Sequence, residues 1–466
     1  MRRALGVTIR SIPGRAIRQR ASLTAAGWAI SLAAGATLIA TCGDDAASVP
    51  LTGSDPIALV GVTVIDVTGG ETVQDRTILI EGGRIEGIYE VDEAPLDPDT
   101  QVLDLTGSFA VPGLVDTHAH MPSVQDQSRF LRNLLGFGVT TARSTAAAPS
   151  GGTELRSRIA AGDLLGPRFL TAGRLIDGPG SIWDGFASIV ETEDDIRAAV
   201  RGQAAQGVDV VKLYTGLTSD LVRAAIDEAH SEGLPVLGHL GRTAWTEAVT
   251  AGIDALTHGC FWGLTRSVVP RADSVRFDQM FLPGGSFGLT EIQEWPGALD
   301  LDDPRLRAMI QTMRTSRTAW DPNIVLCEAV VFGDEEEVRE RLLPEFDVQP
   351  ADFPHPYSAN WSASTRQAAK AAFPAMLSVV EAFHAAGVLV TLGSDTMNPW
   401  MTPGAAALRE LELLVVAGLT PTEALQVATR NGAEALGIQD LVGTIEPGKA
   451  ADVLILSADP TADVSN

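Results

Sequence analysis

VPGLVDTHAH (residues 111–120) is an apolar run that ends in two histidines, His118 and His120. Side chains alternate across a strand, so a His-x-His pair at its end turns both rings to one face. Four other runs end in the same manner. VDVVKLY (208–214) carries Lys212, PVLGHL (235–240) His239, IDALTHG (253–259) His258 and VLVTLGSD (388–395) Asp395. Four imidazoles and a carboxylate form the donor set of a divalent metal site. Each residue alone has a plainer reading: a core histidine, a capping aspartate, a lysine snorkelling from a strand end. Their shared position at strand ends favours the metal site.

Helical stretches separate these runs. Thr192 can cap a helix whose inward residues are Ile196, Ala199 and Val200, with Gly207 ending it before VDVVKLY. Ser219 can cap the next, with Leu221, Ala225 and Ile226 inward and Gly233 at its end. Repeated β-α units point to a parallel sheet in an α/β fold. A (β/α)8 TIM-type barrel uses about 31 residues per unit. On that measure His120 to Lys212 is about three units, Lys212 to His239 about one, and His239 to His258 a short one. His258 to Asp395 is two units with a large surplus. The ligands then fall on strands one, four, five, six and eight, at the strand C-termini where barrel enzymes keep their chemistry. The surplus predicts an insertion at about 261–363, with WDPNIVLCEAV (320–330) inside it as strand seven.

Short alternating strands precede the barrel: IALVGVTVIDV, RTILIEGGRIEGIYE with a turn at Gly82-Gly83, and TQVLDLTGSFAV. VGTIEPGKAADVLIL near the end has the same texture. The expected layout is a barrel over 112–435 and a small β-sandwich built from 57–111 and 436–466. Residues 42–56, rich in Asp, Ala, Ser, Pro and Gly, read as a tether.

Residues 1–41 read as a leader. Arg2, Arg3, Arg10, Arg15, Arg18 and Arg20 precede the apolar stretch 21–42, with no acid among them. Ile39-Ala40-Thr41-Cys42 resembles a bacterial lipobox, although Gly or Ala is usual where Thr41 stands. The expectation is an exported bacterial lipoprotein, periplasmic or at the cell surface, held at the membrane by a lipid on Cys42. A plain secretory signal or an uncleaved anchor is the alternative. Cys260 and Cys327 would then share an oxidising compartment, paired or as free thiols.

The chain has 466 residues and is 45% apolar, enough for a large core. Its net charge of −25 argues against a nucleic-acid partner, which needs a basic face.

These motifs resemble the amidohydrolase superfamily, and within it the imidazolonepropionase-like and Xaa-Pro dipeptidase (prolidase) branch. VPGLVDTHAH, GVTT (138–141), VVKLY, GHLG, THG, TLGSDT and GTIEPGKAADVLIL carry the resemblance, which runs from about residue 57 to the end. It implies two divalent metal ions, zinc ahead of manganese or iron. His118 and His120 would hold one with Asp395, and His239 and His258 the other. Lys212 would be an N6-carboxylysine bridging the two. An ammonium would repel the cations, whereas a carbamate is an anionic bidentate ligand.

The implied activity is hydrolysis of an amide C–N bond, in a dipeptide or N-acyl amino acid, by a metal-bridging hydroxide. Asp395 would take the proton from the attacking water and pass it to the leaving amine. Tyr214, two residues beyond Lys212, would face the same side and contact substrate. Arg143 would pair with a substrate carboxylate, and Trp320 would line the pocket. The expected partner is a small amide substrate, and the expected assembly a homo-oligomer. His230, His384 and His355 read as structural or exposed.

The chain departs from the family at Arg143-Ser144, where Arg-Asp is common, and at Gly178-Pro179-Gly180-Ser181, where a Gly-Gly-His-like turn is usual. Both departures lie on the substrate side. Rival readings are a mononuclear cyclic amidase or deaminase, an esterase or lactonase, and a non-catalytic anchored binding protein. Such deaminases usually place Glu three residues after the strand-five histidine. Here that residue is Arg242.

Overall fold

A computed structural model describes residues 27–33 and 36–38 as backbone, together with 56–70, 72–121, 127–147, 151–181, 183, 185–259, 264, 267, 300–342, 358, 361–398 and 400–466. Cys42, Cys260, His355 and much of the expected 261–363 insertion lie outside the described residues.

One sheet gathers both ends of the chain. Its strands are β1 (Gly27–Ala33), β2 (Ala36–Leu38), β3 (Ile57–Ile65), β4 (Thr72–Glu81), β5 (Arg84–Glu90), β6 (Gln101–Asp104), β7 (Phe109–Pro112) and, from the far end, β18 (Val453–Leu456). The order is β2-β1-β18-β7-β3-β4-β5, with β6 also on β3. Gly82 and Gly83 join β4 to β5 with φ of 56° and 77°. Such a two-residue turn needs positive φ at both positions. β18 lies antiparallel to β7, pairing Val453 with Pro112. Ile57, Leu59, Ile78, Ile80, Ile85, Val453 and Ile455 form the core of this sheet.

The sandwich expectation differs from what is seen, because all eight strands share one hydrogen-bonded sheet. β3 shifts register between Leu59 and Val62 and again between Val62 and Val64. One half of its free edge therefore pairs with β6 and the other with β7, and the sheet continues across the kinked strand. β1 pairs with β18 from Gly27↔Leu456 to Ile30↔Val453. Cleavage before Cys42 would remove β1 and β2 and leave β18 as the sheet edge. No helix among the described residues is long and apolar enough to cross a membrane.

The remaining strands are parallel. One group is β8 (Leu114–Ala119), β9 (Val139–Ser144) and β10 (Arg168–Thr171). The other is β11 (Leu175–Asp177), β12 (Ala187–Ile189), β13 (Val211–Leu213), β14 (Val236–Gly238), β15 (Ala255–Thr257), β16 (Ala319–Asp321) and β17 (Leu389–Val390), in the order β12-β11-β13-β14-β15-β16-β17. Residues 168–177 link the groups: β10 pairs with β9 and β11 with β13. At the opposite flank, Thr117 N–H donates to Leu392 O (2.9 Å), Asp395 N–H to His118 O (2.7 Å) and His120 N–H to Thr396 O (3.1 Å).

Helices return the chain between these strands: α1 (Gln127–Gly136), α2 (Gly151–Ala160), α3 (Glu193–Ala205), α4 (Ser219–Ser231), α5 (Trp245–Ala251), α6 (Pro304–Ser316), α7 (Ile324–Phe332), α8 (Glu336–Leu342), α9 (Ala363–Ala385) and α10 (Ala405–Val416). β13, β14 and β15 are buried along their whole length. Parallel strands covered on both faces read as continuous apolar runs for this reason. Thr192 caps α3 in a capping box with Asp195. For α4 the cap is Thr218, with Ser219 already in the helix, one residue from the expected position.

Among its described residues the 261–363 region holds a regular unit, α6–β16–α7. Strand seven is confined to Ala319–Asp321. Pro322 and Asn323, the latter at φ 48°, turn the chain into α7. Residues 324–331 of α7 are all buried. A helix apolar all round has no stripe to distinguish it from a buried strand.

Candidate metal centre

Each expected ligand is placed by the end of a parallel strand. His118 is in β8 and His120 one residue beyond it. Lys212 is the middle residue of β13. His239 and His258 directly follow β14 and β15. Asp395 follows β17 on the loop tied to β8. These ends converge. His118, His258 and Asp395 each offer a ligand atom, and these atoms lie within 4.8 Å of one another. Asp395 Oδ1 is 2.8 Å from His120 Nε2 and 3.3 Å from His118 Nε2, and Asp395 Oδ2 is 3.9 Å from His258 Nδ1. The His239 and His258 ring centroids are 4.2 Å apart, and those of His118 and His258 5.0 Å. Only His120 of the six is appreciably exposed, its side chain at 34%.

The backbone is bent to achieve this. His258 and Asp395 take φ of 65° and 51°. Left-handed conformations at non-glycine residues are uncommon and concentrate at functional sites. Both are held by hydrogen bonds, from His258 N–H to Asp321 O (2.8 Å) and from Asp395 N–H to His118 O (2.7 Å). Gly393 permits the close approach. A Cβ there would stand 2.8 Å from His118 Cβ and 2.9 Å from Asp321 Cβ.

Three supporting residues, Asp321, Thr257 and Asp116, were not singled out in the sequence. Asp321 ends β16 and is buried, with Oδ1 2.8 Å from His118 Nδ1. A carboxylate only accepts, so Nδ1 carries the proton and Nε2 is left to bind. Thr257 Oγ1 lies 2.6 Å from the same Nδ1 and also bonds Asp321. Asp116 accepts from Ser394 Oγ (2.6 Å), Ser394 N–H (3.0 Å) and His118 N–H (3.1 Å), joining β8 to the Asp395 loop. The signal for Asp321 was available: it ends an apolar run in WDP, as the other ligands end theirs.

Electrostatics hold His239, His258 and Asp395 in cation-binding forms, whereas at His118 burial is outweighed by the Asp321 and Asp395 charges, which raise the imidazole. Burial, followed by the Lys212 charge, holds His239 well below the usual imidazole range. Burial, followed by the His239 charge, does the same at His258. Both are therefore neutral donors at neutral pH. Burial would raise the Asp395 carboxyl, but the charges and hydrogen bonds of His118 and His120 hold it well below the usual carboxylate range. Burial lowers the Lys212 amine to about 7, against the pull of Asp321 and Asp395. Its Nζ is buried and has no hydrogen-bond acceptor among the described residues.

The other expected residues divide. The Tyr214 ring lies 4.6 Å from that of His239, and its hydroxyl accepts from Trp183 Nε1 at 2.9 Å. Arg143 is buried beside the cluster, its Nε donating to Thr117 O (2.8 Å) and its Nη2 3.9 Å from Asp321. Trp320 is corrected. Alternation along β16 turns Asp321 toward His118 and Trp320 the other way. Trp320 is fully buried against Phe383 of α9 (4.7 Å) and Trp245 of α5 (6.1 Å). It is part of the helix-facing core. His230 pairs with Asp254 at 2.8 Å, and His384 lies 3.6 Å from Glu423, both away from the cluster. Cys327 is disulfide-bonded.

The chain spans about half of the first curated relatives it matches. An uncharacterized protein of Mycobacterium tuberculosis is 30% identical over 183 residues, covering 35% of this chain and 47% of that protein. The imidazolonepropionase of Symbiobacterium thermophilum is 25% identical over 404 residues, covering 83% of this chain and 86% of the relative. A solved structure of a candidate prolidase from Bifidobacterium longum superimposes with a TM-score of 0.65 and 26% identity, covering 88% of this chain and 90% of that one. The Amidohydrolase family matches residues 109–261 and 371–466, more than half of the sequence and every residue of the cluster. The chain belongs to the amidohydrolase family and has an α/β fold with parallel sheets.

Proposed function

We propose that the protein is a metal-dependent hydrolase of an amide C–N bond in a dipeptide or N-acyl amino acid. The two parallel groups are read as one (β/α)8 barrel, joined through residues 168–177 and through the bonds between 117–120 and 392–396. The observation that carries the reading is the buried Lys212 amine, which has no acceptor among the described residues and is surrounded by imidazoles and Asp395. A buried ammionium without a partner is strongly disfavoured. The ammonium first gives up a proton, and the neutral amine then adds carbon dioxide and loses a second proton, which leaves a carbamate, an anion suited to two cations.

The donor set fits two divalent ions, with zinc first. His118, His120 and Asp395 would hold one, His239 and His258 the other, and carboxylated Lys212 both. When bound, the metals supply Lewis-acid activation of water and of the amide carbonyl. Asp395 accepts the proton of the attacking water and returns it to the leaving nitrogen. Asp321 and Thr257 keep the His118 ring in one tautomer. Tyr214, against His239, offers its hydroxyl to the substrate. Arg242 stands three residues after His239. A guanidinium stays protonated and cannot shuttle a proton, which disfavours the deaminase reading.

The test is hydrolysis of an Xaa-Pro dipeptide and N-acyl amino acid library by metal-loaded protein. Turnover of an amide that chelation abolishes and zinc restores is expected. Hydrolysis of esters or lactones alone would favour the esterase reading, and no turnover of any member would favour a binding protein.

Export with a lipid on Cys42 is proposed alongside. Its support is the arginine-rich start and the Ile39-Ala40-Thr41-Cys42 run.

A further inference from the structure

Large apolar side chains exposed among the described residues are Leu96, Val102, Trp183, Phe186, Ile189, Leu301 and Val416. Three of the seven fall within residues 183–189, and both aromatics are among them. Scattered single exposures need no explanation, whereas a cluster marks a binding surface. This cluster continues into the metal centre. The Phe186 ring is 6.5 Å from that of Trp183, edge to face. The Trp183 indole donates to the Tyr214 hydroxyl at 2.9 Å. The Tyr214 ring is 4.6 Å from that of His239. A run of aromatic groups thus leads from the surface to a candidate ligand.

The segment is built to hold its shape. Phe186 N–H and Ala187 N–H both donate to Trp183 O, at 2.7 and 2.9 Å. Arg174 Nη2 donates to the carbonyls of Gly185 (3.2 Å) and Ala187 (2.7 Å). Asp177 Oδ1 accepts from Gly178 N–H (2.8 Å) and Gly216 N–H (2.7 Å), tying the start of the segment to the chain just after Tyr214. Trp183 and Phe186 stay exposed on this support, at 39% and 58%.

We propose that Trp183 and Phe186 determine specificity, by receiving an aromatic or branched apolar side chain of the amide substrate beside Tyr214. This deepens the hydrolase reading and rests on it. The occupant follows from continuity: a group against these rings is attached to whatever lies against Tyr214 and His239. Apolar contact against aromatic faces discriminates by size, since area removed from water sets its strength.

The test compares phenylalanine with alanine on the metal-loaded enzyme. Calorimetric titration uses free L-phenylalanine and L-alanine, which carry no amide and are not turned over. Steady-state kinetics use their N-acetyl derivatives. Wild type is expected to favour phenylalanine at least tenfold in both. Phe186→Ala leaves the Trp183–Tyr214 hydrogen bond in place, and Trp183→Ala removes it. Each should cut the phenylalanine-to-alanine ratio at least threefold, with the double variant near unity. A wild-type ratio near one, or an unchanged ratio in both variants, overturns the proposal and leaves the patch to a protein or lipid contact. A ratio that follows the expectation in titration, with neither N-acetyl compound hydrolysed, upholds the binding role and counts against the hydrolase reading.

Discussion

Asp321 Oδ1 lies 2.8 Å from His118 Nδ1 at the buried end of β16, where Thr257 Oγ1 meets both. The carboxylate selects the tautomer that aims Nε2 of His118 at Asp395. Asp321 thus acts through His118 and is a positioning residue.

Asp321→Asn should therefore lower metal affinity by about 10- to 100-fold, the usual cost of removing such a partner. Competition with a chromogenic chelator measures it. Thr257→Val should cost less, since the carboxylate would still hold the ring. Unchanged affinity in Asp321→Asn would remove the positioning role.

Asp395→Asn should separate proton transfer from metal holding. The amide cannot accept the proton of the attacking water at neutral pH. Turnover should fall by about 10²- to 10⁴-fold, with at least one metal retained per chain. A variant with near-wild-type kcat would show that another group takes the proton.

Legibility in the sequence followed packing. His118, His239, His258 and Asp395 were readable because each ends an apolar run, and parallel strands buried on both faces leave such runs. Lys212 was readable for the same reason. Asp321 has the same placement but sits in WDP, before a buried helix whose IVLCEAVV has no polar stripe, so strand and helix merged in the pattern. Trp320 was read as a pocket residue, yet alternation along β16 sends it to Phe383 of α9 and Trp245 of α5. The single sheet was hidden because the register shifts of β3 leave no mark on local alternation.

Asp452 carries a pH-dependent term remote from the cluster. Burial raises its carboxyl from 3.8 to about 6, with Arg168 opposing. The folded state holds this proton more tightly than the unfolded state. Its stabilising contribution is complete below about 3.8 and is lost as pH rises through about 6. Two units correspond to at most about 3 kcal/mol. Denaturant unfolding of wild type and Asp452→Asn at pH 5 and pH 8 should show the variant gaining relative to wild type at the higher pH. Parallel pH dependences would contradict the assignment.

Cys42→Ser tests export. A single acyl chain anchors only marginally and stable attachment takes more than one, so a mature lipoprotein should stay with membranes through a salt wash. The serine variant should be released or fail to mature. Equal partitioning of variant and wild type would end the lipid-anchor reading.

The most direct test of the metal-centre account is elemental analysis of purified wild type and Lys212→Ala under zinc excess. About two divalent ions per chain are expected in wild type, as two-metal chemistry requires. The variant should lose at least one of them, and added short carboxylic acids should restore part of the occupancy by standing in for the carbamate. Two ions retained in Lys212→Ala, or a single ion in wild type that does not rise with added zinc, would contradict the bridging role of Lys212 and favour a mononuclear enzyme.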